Sequence, residues 1–452
     1  MKQYEEYKPT GLEWFPAIPQ HWKWNYLSQV AHEQTIKKPA GEMYPVLTLS
    51  YGEIKRKPNI DAGLVPSNYD NYQMLYAGNI VLRLIDLQND HTSLRTGLVK
   101  ETGIITSAYT CISPTENAAY LRYLLHSYDT QKVFYGFGGG VRQSIGFKDI
   151  RHLQVPVPSR IEQEQIVRYL DWQVSKINQL IAAKKKQIGL LKEQERSVAV
   201  HYITHGCNPQ AVMKDSGIDW VEIIPQHWDV LFLQQVAEER FVKNAGMLED
   251  NLLSLSYGHI IRKDINTTDG LLPASFEGYQ IVEKNDTVLR LTDLQNDHRS
   301  LRTGLVLERG IITSAYTCIK PRQNVLPEYL QLQLHSADLC KVFYGLGGGV
   351  RQSIGYKDIR KLLMFVPPLK EQQEILDAIK RESASSLPCY NKLEEEITVL
   401  QELRTRLISD VVTGQIDVRD VEIPDFEYIS ETDDNGEETD DEESDDMAEE
   451  EV

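Results

Sequence analysis

Cysteine is scarce in this sequence, and the few cysteines form no closely spaced pairs. Five thiols are spread over 452 residues, at positions 111, 207, 318, 340 and 389. Zinc sites and disulfide frameworks need cysteines at short or regular spacings. We therefore predict free thiols in a reducing compartment. The apolar runs around Cys111 and Cys318 predict that these two are buried.

Long apolar runs are also missing. No stretch reaches the roughly 18 apolar residues that cross a bilayer. The start, MKQYEEYKPTGLEW, lacks the basic and then apolar pattern of a secretory signal. A composition of 25% charged and 41% apolar residues is that of an ordinary globular protein. We expect a cytoplasmic protein and, from its length, at least two domains.

Catalytic motifs are absent as well. The sequence contains no GxxxxGK(S/T) phosphate loop, no (Asp/Asn)-Pro-Pro-aromatic motif of amino-methyltransferases, and no HExxH, GxSxG or Cys-x-x-Cys. His91 and His298 lie in a repeated Asn-Asp-His turn, where a structural hydrogen bond is favoured over acid–base catalysis. The sequence therefore predicts a protein that binds rather than one that catalyses.

Positive charge is missing from one end of the chain. The net charge is −18, but residues 421–452 carry 17 Asp and Glu and no Lys or Arg. The remainder holds 48 basic and 49 acidic residues. Such a tail cannot bury enough apolar surface to fold, so we predict a disordered, solubilising segment. The alternative is a polyanion that competes with nucleic acid for a basic groove.

The main feature that the chain does contain is a long internal repeat. The pentapeptide IPQHW occurs twice, and the offset between the copies drifts only from 206 to 209. Residues 81–112 match 288–319 at 28 of 32 positions, and 133–151 match 342–360 at 17 of 19. This period is far longer than that of a solenoid, so it indicates two domains of one fold.

Each copy has the pattern of a mixed α/β (α+β) domain. Apolar and β-branched runs predict strands at 46–50, 80–84 and 106–112, bounded by Gly, Asn and Asp turns. A short amphipathic helix is expected at 118–126, with its equivalent at 327–335. We therefore predict two tandem domains of the same class.

A different pattern follows each copy. After a proline step, a Glu- and Gln-rich start leads into an apolar seam with 3–4 spacing, over about 45 residues or ~65 Å of helix. The first seam consists of Val167, Leu170, Val174, Ile177, Ile181, Ile188, Leu191, Val198 and Tyr202; the second consists of Leu376, Ile379, Tyr390, Leu393, Ile397, Leu400, Leu407 and Val411. Only Lys184 and Glu195 interrupt the first seam, and Pro388 predicts a kink or break in the second. Each helix is expected to end at a glycine, Gly206 or Gly414.

These patterns predict the domain order. We expect a first domain (1–158), a spacer helix (159–207), a second domain (208–366), a second spacer helix (367–414) and an acidic disordered tail (415–452). Because the second helix returns the chain, the two helices are predicted to form a long antiparallel coiled coil, which makes the protein pseudo-twofold symmetric. The alternative is that each seam packs on its own domain.

Four motifs recur in one order in both copies. They are the Gly-to-Trp stretches at 11–22 and 217–228, the Gly-Val-Arg-x-Ser-Ile-x-Phe/Tyr-x-Asp-Ile run, the Pro-x-Pro or Pro-Pro step, and the Glu-Gln-x-x-Ile helix start. A Val-Thr-Gly at 412–414 closes the second copy. In this order, the chain resembles the specificity subunit of a Type I restriction–modification system. The resemblance covers about residues 8–420.

The resemblance implies a DNA-recognition subunit of a bacterial or archaeal complex, with no catalysis, metal or cofactor of its own. Each domain would read half of a split double-stranded DNA target, and the helices would set the gap. Two methyltransferase subunits would dock on the helices and flip out one adenine per half-site, using S-adenosylmethionine. Restriction subunits with motor activity would add ATP- and Mg-dependent cleavage.

Two segments in each copy concentrate side chains suited to DNA. Arg, Asn and Gln offer paired donors to bases, and Arg, Ser and glycine amides suit phosphates. We name them the turn segments (83–95 and 290–302) and the glycine segments (138–144 and 347–353). The predicted DNA-binding residues are Arg83, Gln88, Asn89, Arg95, Arg142, Gln143, Ser144, Arg290, Gln295, Asn296, Arg299, Arg302, Arg351, Gln352 and Ser353.

Each of these assignments has a structural alternative. Arg83 and Arg290 would more easily be buried against neighbouring aspartates, and Arg142 would form an ion pair with a carboxylate such as Asp149. The Gln-Asn pairs would be turn formers only. Trp22 and Trp228 are predicted to be core residues rather than stacking platforms.

The similarity of the copies predicts similar half-sites. Like domains related by a pseudo-twofold axis read like sequences on opposite strands, so the target is expected to be an interrupted palindrome or close to one. Members of the resembled family usually carry dissimilar domains, and the divergent 53–76 and 259–283 loops leave room for unlike halves. The alternatives are a subunit of a related methylation-based defence system or bifunctional restriction enzyme, and a coiled-coil scaffold that binds no DNA.

Overall fold

The described part of the chain divides into two units, each with its own copy of the repeat. The computed structural model describes residues 2–12, 14–50, 52–57, 69, 71–85, 87, 94–137, 145–265, 273, 275–294, 301–346 and 354–430. The first unit contains the described residues up to Lys186 and those from Leu393 onward, and the second contains those within Gln187–Lys392. Each unit therefore combines one copy of the repeat with a part of each long helix.

The first unit is built mainly from short antiparallel strands. Its strands are β1 Tyr7–Pro9, β2 Ala17–Pro19, β3 Lys23–Tyr26, β4 Ala31–Gln34, β5 Leu47–Ser50, β6 Glu53–Arg56, β7 Tyr72–Leu75, β8 Ile80–Leu82, β9 Thr96–Leu98, β10 Gly103–Thr106, β11 Thr110–Pro114 and β12 Gln154–Val157. The largest sheet has the order β4-β11-β8-β9, and the pairs are β1-β2, β3-β12, β5-β6 and β7-β10. Its helices are α1 Leu27–Val30, α2 Ala118–Thr130, α3 Phe147–Ile150 and part of α4 Arg160–His205, with a 3-10 helix at Val133–Gly136.

The second unit repeats this order of elements. Its strands are β13 Met213–Ile218, β14 Val221–Pro225, β15 Asp229–Phe232, β16 Ala237–Glu239, β17 Leu253–Ser256, β18 His259–Arg262, β19 Gln280–Val282, β20 Thr287–Leu289, β21 Thr303–Leu305, β22 Gly310–Ile312, β23 Thr317–Pro321 and β24 Leu363–Val366. Its largest sheet, β16-β23-β20-β21, matches that of the first unit. Its helices are α5 Leu233–Val236, α6 Pro327–Leu339, α7 Tyr356–Ile359 and part of α8 Leu369–Val412, with 3-10 helices at Phe276–Gly278 and Val342–Gly345. The prediction of two copies that mix helix and sheet is confirmed.

One predicted strand is divided in two. Residues 106–112 were expected to form a single strand, but β10 ends at Thr106 and β11 begins at Thr110. The hydroxyl of Thr106 accepts a hydrogen bond from the amide of Ala108 at 3.3 Å, and its carbonyl accepts one from Tyr109 at 3.3 Å. This side-chain bond closes a turn inside the run that was expected to be one strand.

The predicted short helices exist and are longer than expected. Helix α2 begins after Asn117, whose side chain accepts hydrogen bonds from the amides of Ala119 and Tyr120. In the second copy a proline in the first turn takes the place of this cap. Both helices end just before a lysine in the left-handed region, Lys132 or Lys341, so the chain turns sharply there.

The predicted core residues are buried. Trp22 and Trp228 are both 1% exposed, which confirms that they belong to the core of their units. Cys111 and Cys318 are buried free thiols, also as predicted. Burial raises the pKa of Cys111 to about 12, so the thiol stays protonated. No helix in the part of the chain that the structure describes is long and apolar enough to span a membrane.

The long helix α8 continues through Pro388. The predicted break there is wrong, because a single helix covers Leu369–Val412. A proline inside a helix removes one backbone hydrogen bond and costs about 3 kcal/mol. Seam residues on both sides of it, Leu376 and Leu393, are buried, and their burial offsets that cost.

Within the first unit the two long helices are antiparallel neighbours. Lys184 forms an ion pair with Glu396, and the Arg404 guanidinium donates to the Asn178 side-chain oxygen at 2.9 Å. The lower-numbered residue of α4, Asn178, contacts the higher-numbered residue of α8, Arg404, so the two helix parts run in opposite directions. The apolar side chains of both helix parts join the core of this unit, so the seam packs on its own domain as well as on the other helix.

Within the second unit the helix parts are also antiparallel. The Ser386 hydroxyl donates to Glu195, and the Lys192 ammonium lies 5.6 Å from the centroid of the Tyr390 ring. Lys184 and Glu195, the two polar residues that interrupt the first seam, are thus both paired with a polar group on the facing helix. Each contact favours one register of the helix parts within its own unit, since a shift there would remove the partner.

Both helices end at the predicted glycines. Gly206 and Gly414 have φ values of +74° and +75°, in the left-handed region that glycine adopts without strain. The amide of Gly206 donates to the Tyr202 carbonyl at 2.9 Å. The prediction of two equivalent helix ends is confirmed.

The chain after α8 is held against the first unit up to residue 430. This corrects the prediction that disorder begins at 415. The Gln165 side chain donates to the carbonyls of Val418 and Val421, and the Asn178 side chain donates to that of Ile429 at 3.0 Å. The apolar residues of this stretch pack on the core, which the acidic composition around them obscured. The rest of the predicted tail, 431–452, lies outside the described residues.

Two equivalent histidines, His126 buried and His335 partly buried, are expected to destabilise the protein in mild acid. Burial lowers the pKa of His126 to about 3, with repulsion from Arg122 and Arg404, and lowers that of His335 to about 4. The unfolded value is near 6.5. Between these values the unfolded chain binds more protons than the folded chain, so stability falls as the pH drops.

The expected loss between pH 7 and pH 5 is about 2 kcal/mol for each histidine. Chemical denaturation at the two pH values measures it. The variant His126→Gln should show a shallower pH dependence than the wild type. An unchanged slope in that variant would contradict the assignment.

Candidate nucleic-acid interface

Most of the predicted DNA-binding residues lie in parts of the chain that the structure does not describe. Outside the described residues lie Gln88, Asn89, Arg142, Gln143, Ser144, Gln295, Asn296, Arg299, Arg351, Gln352 and Ser353, together with His91 and His298. The structure does describe the residues from which the turn and glycine segments begin and to which they return. These residues define the base of the candidate interface in each unit.

Arg83 and Arg290 lie directly after the central strands β8 and β20. Both are half-buried. The amide of Arg83 donates to the Arg95 carbonyl at 2.9 Å, and that of Arg290 donates to the Arg302 carbonyl at 2.9 Å. Each turn segment is therefore closed at its base by a backbone hydrogen bond that continues the strand pairing.

Arg95 and Arg302 are fully buried, with 0% exposure. The Arg95 guanidinium donates to the carbonyls of Arg83 at 3.0 Å and Ile85 at 2.9 Å. The Arg302 guanidinium donates to the carbonyls of Arg290 at 3.1 Å and Thr292 at 2.8 Å. The prediction that these two arginines contact DNA is not supported by their positions, because their donors are directed to the interior of the protein.

The sequence reasoning missed an aromatic and an acidic partner for each buried arginine. Tyr135 accepts a hydrogen bond from Arg95 Nε at 3.2 Å, and its ring centroid lies 5.4 Å from the guanidinium carbon. The Asp129 carboxylate accepts the Arg95 amide at 2.7 Å. In the second unit, Tyr344 and Asp338 make the same contacts at 3.1 and 2.7 Å. In the sequence, these tyrosines and aspartates stand out only because they are identical in the two copies of the repeat.

The glycine segments return to the same place. The amide of Ile145, just after the first glycine segment, donates to the Leu84 carbonyl at 2.9 Å. In the second unit Ile354 donates to the Leu291 carbonyl at 3.0 Å. Because Tyr135 and Tyr344 precede the glycine segments by a few residues, both segments of each unit have a common base. We call this base, with its buried arginine, the arginine network.

A positive charge lies beside each network. The ammonium groups of Lys132 and Lys341 lie 4.8 and 4.7 Å from the ring centroids of Tyr135 and Tyr344. Both lysines are in the left-handed region, with φ near +60°. Positive charge at this base suits a phosphate backbone. Among the described residues, no group of His, Cys, Asp and Glu is suited to hold a metal ion.

Comparison with known proteins agrees with this architecture. Residues 100–190 match the family described as Type I restriction modification DNA specificity domain. A curated relative, named the type I restriction enzyme MjaX specificity subunit of Methanocaldococcus jannaschii, is 24% identical over 313 residues, or 66% of this chain and 68% of the relative.

Solved structures match over most of the chain. One, from work on complex assembly and conformational transition of the type I R-M system, has a TM-score of 0.56 at 13% identity, covering 88% of this chain and 99% of that chain. The HsdS subunit from Thermoanaerobacter tengcongensis aligns with 88% of this chain and 98% of its own length at 14% identity, with a TM-score of 0.38. The first of these shares the fold of this chain. From the family match and the curated relative, the chain contains a Type I restriction modification DNA specificity domain and is similar to a Type I specificity subunit.

Proposed function

We propose that this subunit reads a two-part DNA target, with one recognition domain on each half-site. The observation that carries the proposal is the repeated arginine network, which gives both units the same base for a turn segment and a glycine segment. These segments hold the side chains suited to bases and phosphates. The proposed contacts are the predicted residues other than Arg95 and Arg302.

We also propose that α4 and α8 pair as one antiparallel coiled coil that sets the gap between the half-sites. The support is the polar pairing inside each unit, where the two residues that interrupt the first seam meet partners on the facing helix. A fixed register makes the gap a defined number of base pairs. The pseudo-twofold relation of the domains belongs to this proposal.

The register can be tested by exchanging charges at one position. Lys184→Glu alone places a carboxylate beside Glu396 and is expected to lower the free energy of unfolding by about 0.5–1 kcal/mol, because both side chains are partly exposed. The double variant Lys184→Glu with Glu396→Lys is expected to recover most of this loss. Chemical denaturation provides the measurement. A double variant no more stable than Lys184→Glu would argue against this contact.

We propose that methyltransferase subunits dock on the helices and carry out the chemistry. The helices expose apolar side chains to solvent, including Leu180 and Val399 in the first unit and Leu190 and Leu387 in the second, all between 52% and 55% exposed. Such residues favour coverage by a partner. Two methyltransferase subunits would use S-adenosylmethionine, and restriction subunits would use ATP and Mg²⁺. The specificity chain would supply recognition and no catalysis.

The half-sites are expected to form an interrupted palindrome or a close variant of one. The expected result is that cells expressing this chain with its neighbouring methyltransferase gene carry methyladenine at one bipartite motif with similar halves. Methylome sequencing checks this, and cells with the methyltransferase alone are the control. Two unrelated half-sites would contradict the symmetry but keep the recognition role. Absence of sequence-specific methylation by an assembled complex would contradict the recognition role itself.

A further inference from the structure

We propose that Arg95 and Arg302 are positioning residues for base discrimination, each acting on the half-site read by its own unit. Neither touches DNA. Each holds the ends of a turn segment and the approach to a glycine segment in one arrangement. This inference rests on the proposed function, and it replaces the expectation that the two arginines are DNA contacts.

The contacts of Arg95 join three parts of the chain. Its guanidinium binds the carbonyls of Arg83 and Ile85, on the outgoing side of the turn segment. Its own backbone lies on the returning side, where its amide donates to Asp129. Its Nε donates to the Tyr135 hydroxyl, on the approach to the glycine segment. A displacement of any one part therefore breaks a hydrogen bond to the same side chain.

The glycine segment is tied to the turn segment at its other end as well. Ile145 donates to the carbonyl of Leu84, which stands between the two carbonyls held by Arg95. The second unit repeats the arrangement, with Arg302 bound to Arg290, Thr292 and Tyr344. Base contacts depend on positions to within a few tenths of an ångström to an ångström, so a shared anchor governs both segments together.

Stability alone does not account for a guanidinium at these positions. Burying a charge is costly, and well-packed apolar residues in place of buried ions are often as stable or more so. A planar guanidinium with five fixed donors reaches two carbonyls and a hydroxyl at once. A lysine keeps the charge but has a flexible stem and no planar fork. The substitution Arg→Lys therefore keeps the positive charge and removes the planar set of donors, so it tests the effect of the donor geometry alone.

The experiment uses the complex of this chain with its methyltransferase partner, on the target found by methylome sequencing. Methylation rates are measured on the intact duplex and on duplexes with one base changed in either half-site, and their ratio gives the discrimination at that half-site. Arg95→Lys is expected to lower discrimination about tenfold at one half-site, with the other half-site within about twofold. Arg302→Lys is expected to do the same at the opposite half-site.

A second pair of variants covers the case in which a lysine variant does not fold. Tyr135→Phe and Tyr344→Phe remove the hydroxyl that accepts from Nε and are expected to lower discrimination at the same half-sites by a smaller factor. The matched control is Tyr128→Phe, which removes a buried hydroxyl that donates to the Gln154 carbonyl at 2.7 Å in the first unit. This control should leave both ratios unchanged.

The outcomes separate the inference from the function on which it rests. A wild-type complex that methylates without sequence preference would overturn the proposed function. A specific wild type whose folded variants keep both ratios, or lose them equally at both half-sites, would overturn the positioning role. A loss confined to one half-site, and to opposite half-sites for the two arginines, supports it.

Discussion

Replacing Glu162 by alanine is expected to destabilise the first unit by about 3–5 kcal/mol. The carboxylate is 5% exposed and lies in the first turn of α4. It accepts hydrogen bonds from the Tyr4 hydroxyl at 2.8 Å, the Trp22 indole at 2.9 Å and the His21 ring at 3.0 Å. Removing it leaves two buried donors without an acceptor. Hydrogen exchange of peptides from each unit, with chemical denaturation, measures the loss.

The second unit provides a matched comparison at Glu371. This carboxylate accepts from Trp228 at 3.0 Å and from His227 at 2.7 Å, but it is 18% exposed and has no tyrosine partner among these contacts. Glu371→Ala is therefore expected to cost less, about 1–2 kcal/mol. Equal losses in the two units would show that burial and the Tyr4 hydrogen bond contribute little.

Replacing Gly414 by alanine is expected to cost about 2–5 kcal/mol, the second largest effect. The residue has a φ of +75°, and a Cβ built there lies 2.4 Å from Pro19 Cδ and 2.6 Å from Pro19 Cγ. Left-handed strain accounts for about 1 kcal/mol, and forcing the proline ring aside accounts for the rest. Thermal or chemical denaturation of the full chain measures the change.

Alanine substitutions at two other glycines distinguish the cost of backbone strain from the cost of steric contact with the added Cβ. Gly41 has a φ of +81° and no atom within 4 Å of an added Cβ, so Gly41→Ala is expected to cost about 1 kcal/mol from strain alone. At Gly206 the nearest atoms are Glu371 Oε1 at 3.1 Å and Trp228 Cζ2 at 3.2 Å, which predicts an intermediate cost. Any other order of the three variants would refute the argument from contact.

Features with a local cause could be predicted from the sequence. The duplication reveals two domains of one fold by identity alone. Strand and helix positions follow from apolar periodicity, and helix ends follow from Gly206 and Gly414, because only glycine adopts the left-handed region without strain. Pro388 shows the limit of local rules, since packing on both sides of it keeps α8 continuous.

The sequence proposes where the candidate interface lies but not the role of each residue. The turn and glycine segments are proposed because arginine, glutamine and asparagine suit DNA. Nothing in the order of residues distinguishes an arginine that faces solvent from one directed inward. Arg95 and Arg302 are assigned to the interior by carbonyls and a tyrosine that come from other parts of each unit.

The sequence by itself determined the two-domain duplication, the long helices and their glycine ends, because each depends on residues close together in the chain. The tertiary structure alone decided that two predicted DNA contacts are buried and that residues 415–430 pack on the first unit. It also decided that Lys184 and Glu195 have partners on a facing helix. These three findings have one physical reason. Hydrogen bonding and burial depend on groups that folding brings together from distant positions in the chain, and the local sequence pattern does not show which groups those are.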